Sequence, residues 1–230
     1  MSGSGLRGAI VVMAKAPREG LVKTRLTSAY PARDVVQLSE CMLADTLDLV
    51  QTLAPVHVAV MCPSEDVADI RARLPPSVDV VGQRGTGLAA ALDSVFQHFV
   101  PDFHRVVAID SDSPHLPPAT LRSAFDLLDT HQLVVGPTED GGYYLVGASA
   151  VYPHLFDLAR LGTGSARDAL VQNARALELS VAFTSECYDV DLPADLSRLD
   201  AELRTEPSRA PRTAALLASW RLVARDERAG

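Results

Sequence analysis

The chain has 230 residues, 21 of them basic and 29 acidic, for a formal net charge of −8. That length suits one large domain or two small ones, with enough chain to bury a core. Hydrophobic residues at 47% and charged residues at 22% exclude general disorder, collagen and coiled coil, and the negative balance argues against a nucleic-acid partner, which needs a broad basic face.

Residues 8–13 (GAIVVM) form a short apolar strand that breaks into a polar loop over 14–24. A long amphipathic helix is predicted over 32–54, where Leu38, Met42, Thr46, Leu49 and Leu53 recur at steps of three and four before Pro55. A strand over 56–61 leads to a short helix from Ser64, with Ser64 as its cap. A brief strand over 78–81 precedes a helix that opens at Gly85-Thr86-Gly87 and runs to Phe99. Residues 105–109 read as a buried strand ending at Asp110, and Pro117-Pro118 starts the next helix. Strands over 133–136 and 143–147 flank the turn Glu139-Asp140-Gly141-Gly142. Helices follow over 151–159 and 165–178, then a strand over 179–183 and a helix over 195–203. The stretch 205–211 is rich in Pro, Ser and charge and marks a boundary. The division expected is 1–204 for the main domain and 205–230 for a helical extension. The extension's apolar stripe (Ala214, Leu217, Trp220, Leu222) fits packing on the chain's own core or a homodimer contact.

Alternating strands and helices imply an α/β fold, a three-layer sandwich around a mixed, mainly parallel sheet. Cys41, Cys62 and Cys187 stand apart with no CxxC pair, as in a reducing compartment. No apolar run reaches the roughly 20 residues that span a bilayer, and no secretory signal is apparent. The expectation is a cytoplasmic protein without a membrane partner.

In such sheets ligands lie beyond the carboxyl ends of the strands, which selects four loops. The first, 14–26, carries Lys15, Arg18, Lys23 and Arg25 around Gly20, a pattern suited to holding phosphate oxygens. The second holds Asp110 and Asp112, two carboxylates that can share a hard cation, Mg²⁺ or Mn²⁺, with substrate phosphates. The third presents Glu139 and Asp140 beside Gly141 and Gly142. The glycines allow close backbone approach to a ligand, and a buried carboxylate there could deprotonate an acceptor hydroxyl. The fourth carries Asp189 and Asp191, alternate residues that point the same way on an extended segment, while Asp191 also suits an N-cap. Gln83, after the third strand, fits a contact to base or sugar. The histidines are scattered, which argues against a zinc centre.

Together the segments MAKAPREGLVKTRL, DSDSPHLP, GPTEDGGYYLVG and DVDLPADL, over about residues 8–203, resemble a family of bacterial transferases associated with radical-SAM and selenium-related genes. These are GT-A-type glycosyltransferases linked to arsenosugar biosynthesis, in the nucleotide-diphospho-sugar transferase superfamily. The resemblance implies a seven-stranded mixed sheet between helices. It also implies phosphate binding by Lys15, Lys23 and Arg25, a cation at Asp112, and Asp189 or Asp191 completing its coordination. The family's usual Gly-Ala-Asp-Cys-Pro is here Ile109 to Pro114 with an aspartate at 110, and its Trp-Ser-Thr segment is replaced by Gly162-Thr163-Gly164-Ser165.

The function expected is a metal-dependent glycosyltransferase that uses a nucleotide-diphospho-sugar and a small-molecule acceptor, with Glu139, Asp140, Lys23 and Arg25 as its catalytic groups. The alternative is a nucleotidyltransferase that joins a nucleoside triphosphate to a phosphorylated small molecule and releases pyrophosphate. A third reading is a non-catalytic nucleotide-binding protein.

Overall fold

The computed structural model describes residues 8–157 and 165–229. Seven strands form one sheet: β1 (Gly8–Met13), β2 (His57–Cys62), β3 (Asp79–Gly82), β4 (Arg105–Asp110), β5 (Leu133–Pro137), β6 (Tyr143–Ala148) and β7 (Val181–Phe183). Their order is β3-β2-β1-β4-β6-β5-β7. All neighbours are parallel except where β6 runs against β4 and β5. The reversal follows from the short hairpin between β5 and β6, which leaves no room for a crossover.

The helices are α1 (Ala32–Gln51), α2 (Val67–Arg73), α3 (Gly87–Phe99), α4 (Pro118–Leu127), α5 (Ala166–Ala176), α6 (Pro193–Thr205) and α7 (Pro211–Ala229). Side chains alternate across the sheet. Ile10, Val12, Val107 and Ile109 meet Leu43, Leu47, Leu121 and Phe125 of α1 and α4 on one face. Ala9, Val11, Val106 and Ala108 meet Leu92, Val95, Phe96 and Leu170 of α3 and α5 on the other. With both faces covered, the central strands read as unbroken apolar runs. This is the expected α/β sandwich. Among the described residues no helix is long and apolar enough to cross a membrane.

Register places the site. Met13 lies opposite Met61 and Asp110, so β1, β2 and β4 end level and their loops leave from one edge. A third apolar cluster (Leu26, Leu38, Met42, Val190, Leu199, Leu217) ties the first loop, α1, α6 and α7 together beside that edge.

Three local expectations fail. The helix over 151–159 is absent from its described part. Residues 153–156 form turns, and His154 sits at φ 67°, outside helical geometry. Those turns still bury Leu155 and Phe156, the latter stacked on Phe96 at 5.5 Å; residues 158–159 lie outside the described residues, as do Gly162, Thr163 and Gly164. α1 ends at Gln51, three residues before 54, because Thr52 and Leu53 close a turn onto Leu49 and Val50. Ser64 caps no helix: its hydroxyl donates to the Gln83 carbonyl at 2.9 Å and ties the exits of β2 and β3 together.

α7 is held through its first turn. Asp45 of α1, 2% exposed, accepts the backbone N–H of Arg212 (3.1 Å) and of Thr213 (2.8 Å) and the Thr213 hydroxyl (2.8 Å). Replacing Asp45 by Ala strands these donors and is expected to cost about 2–4 kcal/mol. Urea unfolding checks the loss, and limited trypsin digestion should release α7 earlier than in the wild type.

Candidate functional site

The first loop is pinned before it reaches the site. The Ala16 N–H donates to Asp66 at 2.8 Å, and Arg18 pairs with Asp66 (2.8 Å) and Asp69 (2.7 Å), so Arg18 is a strut between loop and α2. Gly20 adopts φ +74°, which turns the chain back. Lys23 then takes φ 46°, ψ 38°, a left-handed conformation that lysine rarely adopts, just before a 3-10 turn over Thr24–Ser28 anchored by fully buried Leu26.

That backbone aims the Lys23 side chain inward, where it is only 5% exposed. Its Nζ lies 2.7 Å from Asp112 Oδ1 and 3.1 Å from Asp191 Oδ1. Burial works against its charge, yet Asp112 and Asp191 outweigh this and hold the ammonium above its ordinary value. Arg25 Nη1 reaches Asp191 at 3.5 Å from a side chain 69% exposed.

The second and fourth loops are cross-linked. Asp110, at the end of β4, accepts the Asp112 N–H at 2.9 Å and turns the chain. Val190 N–H donates to the Asp112 carbonyl, and the buried Ser113 hydroxyl lies 2.9 Å from Asp189 and 3.0 Å from the Tyr188 carbonyl. Burial, then the Asp189 and Asp112 charges, push Asp110 well above the usual carboxylate range. Burial likewise raises Asp189 to about 6 against the bond from Ser113. Asp191 does not cap α6. Asp195, inside the helix, accepts the N–H of Leu192 (2.7 Å) and of Asp191 (3.1 Å), leaving the Asp191 side chain to the cations.

These groups open onto a cleft of about 500 Å³ lined also by Lys15, Gln83 and Gly87. Gly87 begins α3, whose N-terminus carries no side-chain cap bond, so free backbone N–H donors and the positive end of the helix dipole lie at the cleft. Lys15, Lys23, Gln83, Asp110, Asp112 and Asp191 therefore share one cleft, with Arg25 and Asp189 against its carboxylates, while Gly20 acts through the turn. Among the described residues no three His, Cys, Asp or Glu side chains form a ready metal cage. The donors nevertheless fit Mg²⁺ or Mn²⁺, which are commonly bound by one or two carboxylates plus substrate phosphates. Asp112 and Asp191 already hold one cationic group between them.

The third loop stands apart from this cleft. Asp140 accepts the Thr138 hydroxyl (2.6 Å) and the Gly142 N–H (3.0 Å), contacts that hold it below its ordinary value, so it locks a turn and stays ionised. Gly141 adopts φ +90°, where a Cβ would press on Ser165, and its carbonyl accepts the Arg167 N–H. Glu139 turns to α6, its oxygens 2.8 and 3.0 Å from Arg198 Nη1, and this bond lowers its proton affinity. Glu139 and Asp140, expected as the base, are ionised and held by Arg198 and Thr138, and neither lines this cleft. Sequence reasoning missed Asp66, Ser113 and Asp195, which position the site from outside it. For Asp195 a signal existed, an acid three residues into a helix.

A second cleft of about 410 Å³ lies between the hairpin and α6, floored by His115 and Tyr188. His115, 3% exposed, stacks on Tyr188 at 4.3 Å with Nε2 3.4 Å from Cys187 Sγ. Burial pulls it down from 6.5 to about 4.

The strand order, the single reversed strand and a cleft at the carboxyl ends of β1 and β4 define the class, the nucleotide-diphospho-sugar transferase-like superfamily. The crystal structure of a protein from Desulfovibrio desulfuricans G20, provisionally described as a nucleotide-diphospho-sugar transferase, is 26% identical. It aligns over 96% of this chain and 98% of its own at a TM-score of 0.86. Rv0371c from Mycobacterium tuberculosis H37Rv is 25% identical over 85% of this chain and 98% of its own, with a TM-score of 0.55. Its manganese complex, 24% identical over the same shares, scores 0.53. The family described as "Uncharacterized protein conserved in bacteria (DUF2064)" matches residues 46–163, just over half of the chain, and the chain belongs to it. No curated protein matches the chain.

His115 generates a pH prediction. The unfolded chain binds its proton near 6.5 and the native state only near 4, so stability present above pH 6.5 is lost as pH falls through that window. His115→Phe keeps the ring stack and is expected to regain about 3 kcal/mol over wild type by pH 4, relative to their difference at pH 7. Urea titrations of both proteins across pH 4–7 measure this, and the opposite trend of Asp189 cancels in the comparison.

Proposed function

We propose that the chain is a glycosyltransferase that draws on a nucleotide-diphospho-sugar, with Mg²⁺ or Mn²⁺ at Asp112 and Asp191 and a small molecule as acceptor. One observation carries the reading: Lys23, Asp112 and Asp191 meet on one side of a cleft that also exposes the uncapped start of α3. Oxygen donors, a point cation and backbone N–H groups together match a diphosphate. The manganese complex of Rv0371c supports a divalent ion of this kind, and the description of the Desulfovibrio protein supports the sugar donor.

In this reading Asp112 and Asp191 would hold the cation, which would supply charge neutralisation for the departing diphosphate. Lys15, Lys23 and Arg25 hold the remaining phosphate oxygens, and Gln83 meets the base or sugar. The bond from the sugar to the diphosphate breaks with its electrons on the nucleotide, and the acceptor oxygen forms the new bond. Asp110 lines the same cleft beside Asp112 and, as a carboxylate, is placed to take the acceptor's proton. Asp189 sits behind it as a support fixed by Ser113.

Nucleotidyl transfer is the second reading, favoured by the crowding of Lys15, Lys23 and Arg25 on one loop, more cation than a diphosphate requires. Thermal stabilisation with Mn²⁺ plus UDP- or GDP-sugars, without a response to triphosphates, is the expected result. A preference for a triphosphate with release of pyrophosphate turns the assignment to nucleotidyl transfer. Asp112→Asn is expected to abolish the metal-dependent stabilisation and lower turnover by about 10²–10³-fold. Nucleotide binding without turnover of either donor class, in wild type and Asp112→Asn alike, would leave the chain a binding protein.

A further inference from the structure

We propose that Lys23 is a resident counter-ion that the divalent cation displaces, its ammonium then turning from the carboxylates to the phosphates in the cleft. This rests on the cation reading of Asp112 and Asp191 given above.

Composition gives the first argument. Of the 21 basic residues, 19 are arginine and two are lysine, Lys15 and Lys23. Both lysines stand on the first loop and both line the cleft. A chain that uses arginine at every other basic position has lysine only here. The two differ in a way that bears on exchange. Arginine's planar fork locks onto carboxylates through paired bonds, whereas lysine is a compact charge on a flexible stem, able to give up one set of oxygens for another.

Geometry gives the second. Lys23 Nζ sits between Asp112 Oδ1 and Asp191 Oδ1 at 2.7 and 3.1 Å, on one oxygen of each carboxylate assigned to the cation. An ammonium and a metal ion cannot share that position, for reasons of both volume and charge. The backbone is not free to withdraw, because buried Leu26 anchors the turn that follows. Exchange therefore falls to the side chain alone.

Charge gives the third. Asp110, Asp112, Asp189 and Asp191 face one buried ammonium and one exposed guanidinium. A divalent ion attracts the Asp112 and Asp191 carboxylates more strongly than a monovalent ammonium does at the same distance. The displaced ammonium is left beside the cleft, where incoming phosphates supply a new partner. Metal and substrate would thus be coupled through one lysine: the metal frees the ammonium, and the phosphates hold it.

Two lysines make the test clean. The full-length protein is treated with a limiting amine-acylating reagent, and the rates at Lys15 and Lys23 are read by peptide mass spectrometry. Without metal, Lys23 should label about tenfold slower than Lys15, and Mn²⁺ alone should raise the Lys23 rate about tenfold with Lys15 unchanged. Mn²⁺ binding is measured in parallel by electron paramagnetic resonance. Lys23→Met should bind Mn²⁺ about tenfold more tightly than wild type, the equivalent of one charge-assisted contact no longer broken. Lys23→Arg, whose fork locks both aspartates, should bind it more weakly than wild type. Mn²⁺ binding with Lys23 still protected would overturn the displacement and leave the cation reading standing. No Mn²⁺ binding in either wild type or Lys23→Met would overturn both. Should Lys23→Met fail to fold, the labelling of wild type decides the question.

Discussion

A single buried ammonium among carboxylates organises the site. Asp112 and Asp189 lie close enough to Asp110 to raise its proton affinity, and Asp112 does the same to Asp189, so both resist burial as charges. Lys23 makes their proximity tolerable, and in doing so joins segments 168 residues apart in sequence. The constraint extends to the backbone. A left-handed lysine is unfavourable, and it persists because Leu26 on one side and the Asp112–Asp191 pair on the other determine the conformation together.

The sheet explains why these segments meet. β1 and β4 are parallel neighbours ending in register, so the first loop and the Asp110–Ser113 turn leave side by side. The fourth loop arrives from the far edge of the sheet, after β7, and is drawn in by backbone contacts: Cys187 N–H to the Pro137 carbonyl and Val190 N–H to that of Asp112. Ser113 then fixes Asp189, and Asp195 takes over the capping of α6, so each aspartate of the fourth loop is left with one task. The cluster is built from main-chain geometry first and side-chain charge second.

Most of the sheet was legible because strands buried on both faces leave continuous apolar runs, and β1 and β4 are of that kind. The positions of Lys23, Asp112 and Asp191 were legible as well, since strand ends are where a parallel sheet exposes its loops. The partners of Glu139 and Asp140 were not. Their sequence shows two acids beside a Gly-Gly pair, and nothing local reveals that Arg198, 59 residues on, claims one and Thr138 the other. The turns near Leu155 read as a helix because their burial comes from a tertiary stack on Phe96, and periodicity cannot distinguish this from an amphipathic face. Asp191 read as a cap because it precedes a helix, whereas the competing acid lay inside the helix at Asp195.

The net charge of −8 stands at odds with the phosphate cleft proposed above until the cations are sorted by partner. Arg18 is paired with Asp66 and Asp69, Arg105 with Asp129, Arg198 with Glu139, and Arg212 with Asp45 and Asp48. These arginines brace loops and helices, and their charge is cancelled where it stands. Lys15 and Lys23 line the cleft, beside the free N–H groups of α3. An anion entering the cleft meets that local field, since the dispersed surface acids are screened over about 8–10 Å of salt solution. An acidic chain can therefore accept an anion in a cleft, provided that its acids are either paired, as around α2 and α6, or themselves the ligands of a cation. In the proposed reading Asp112 and Asp191 meet the second condition, and the acid of the site then serves the phosphates through the cation it holds.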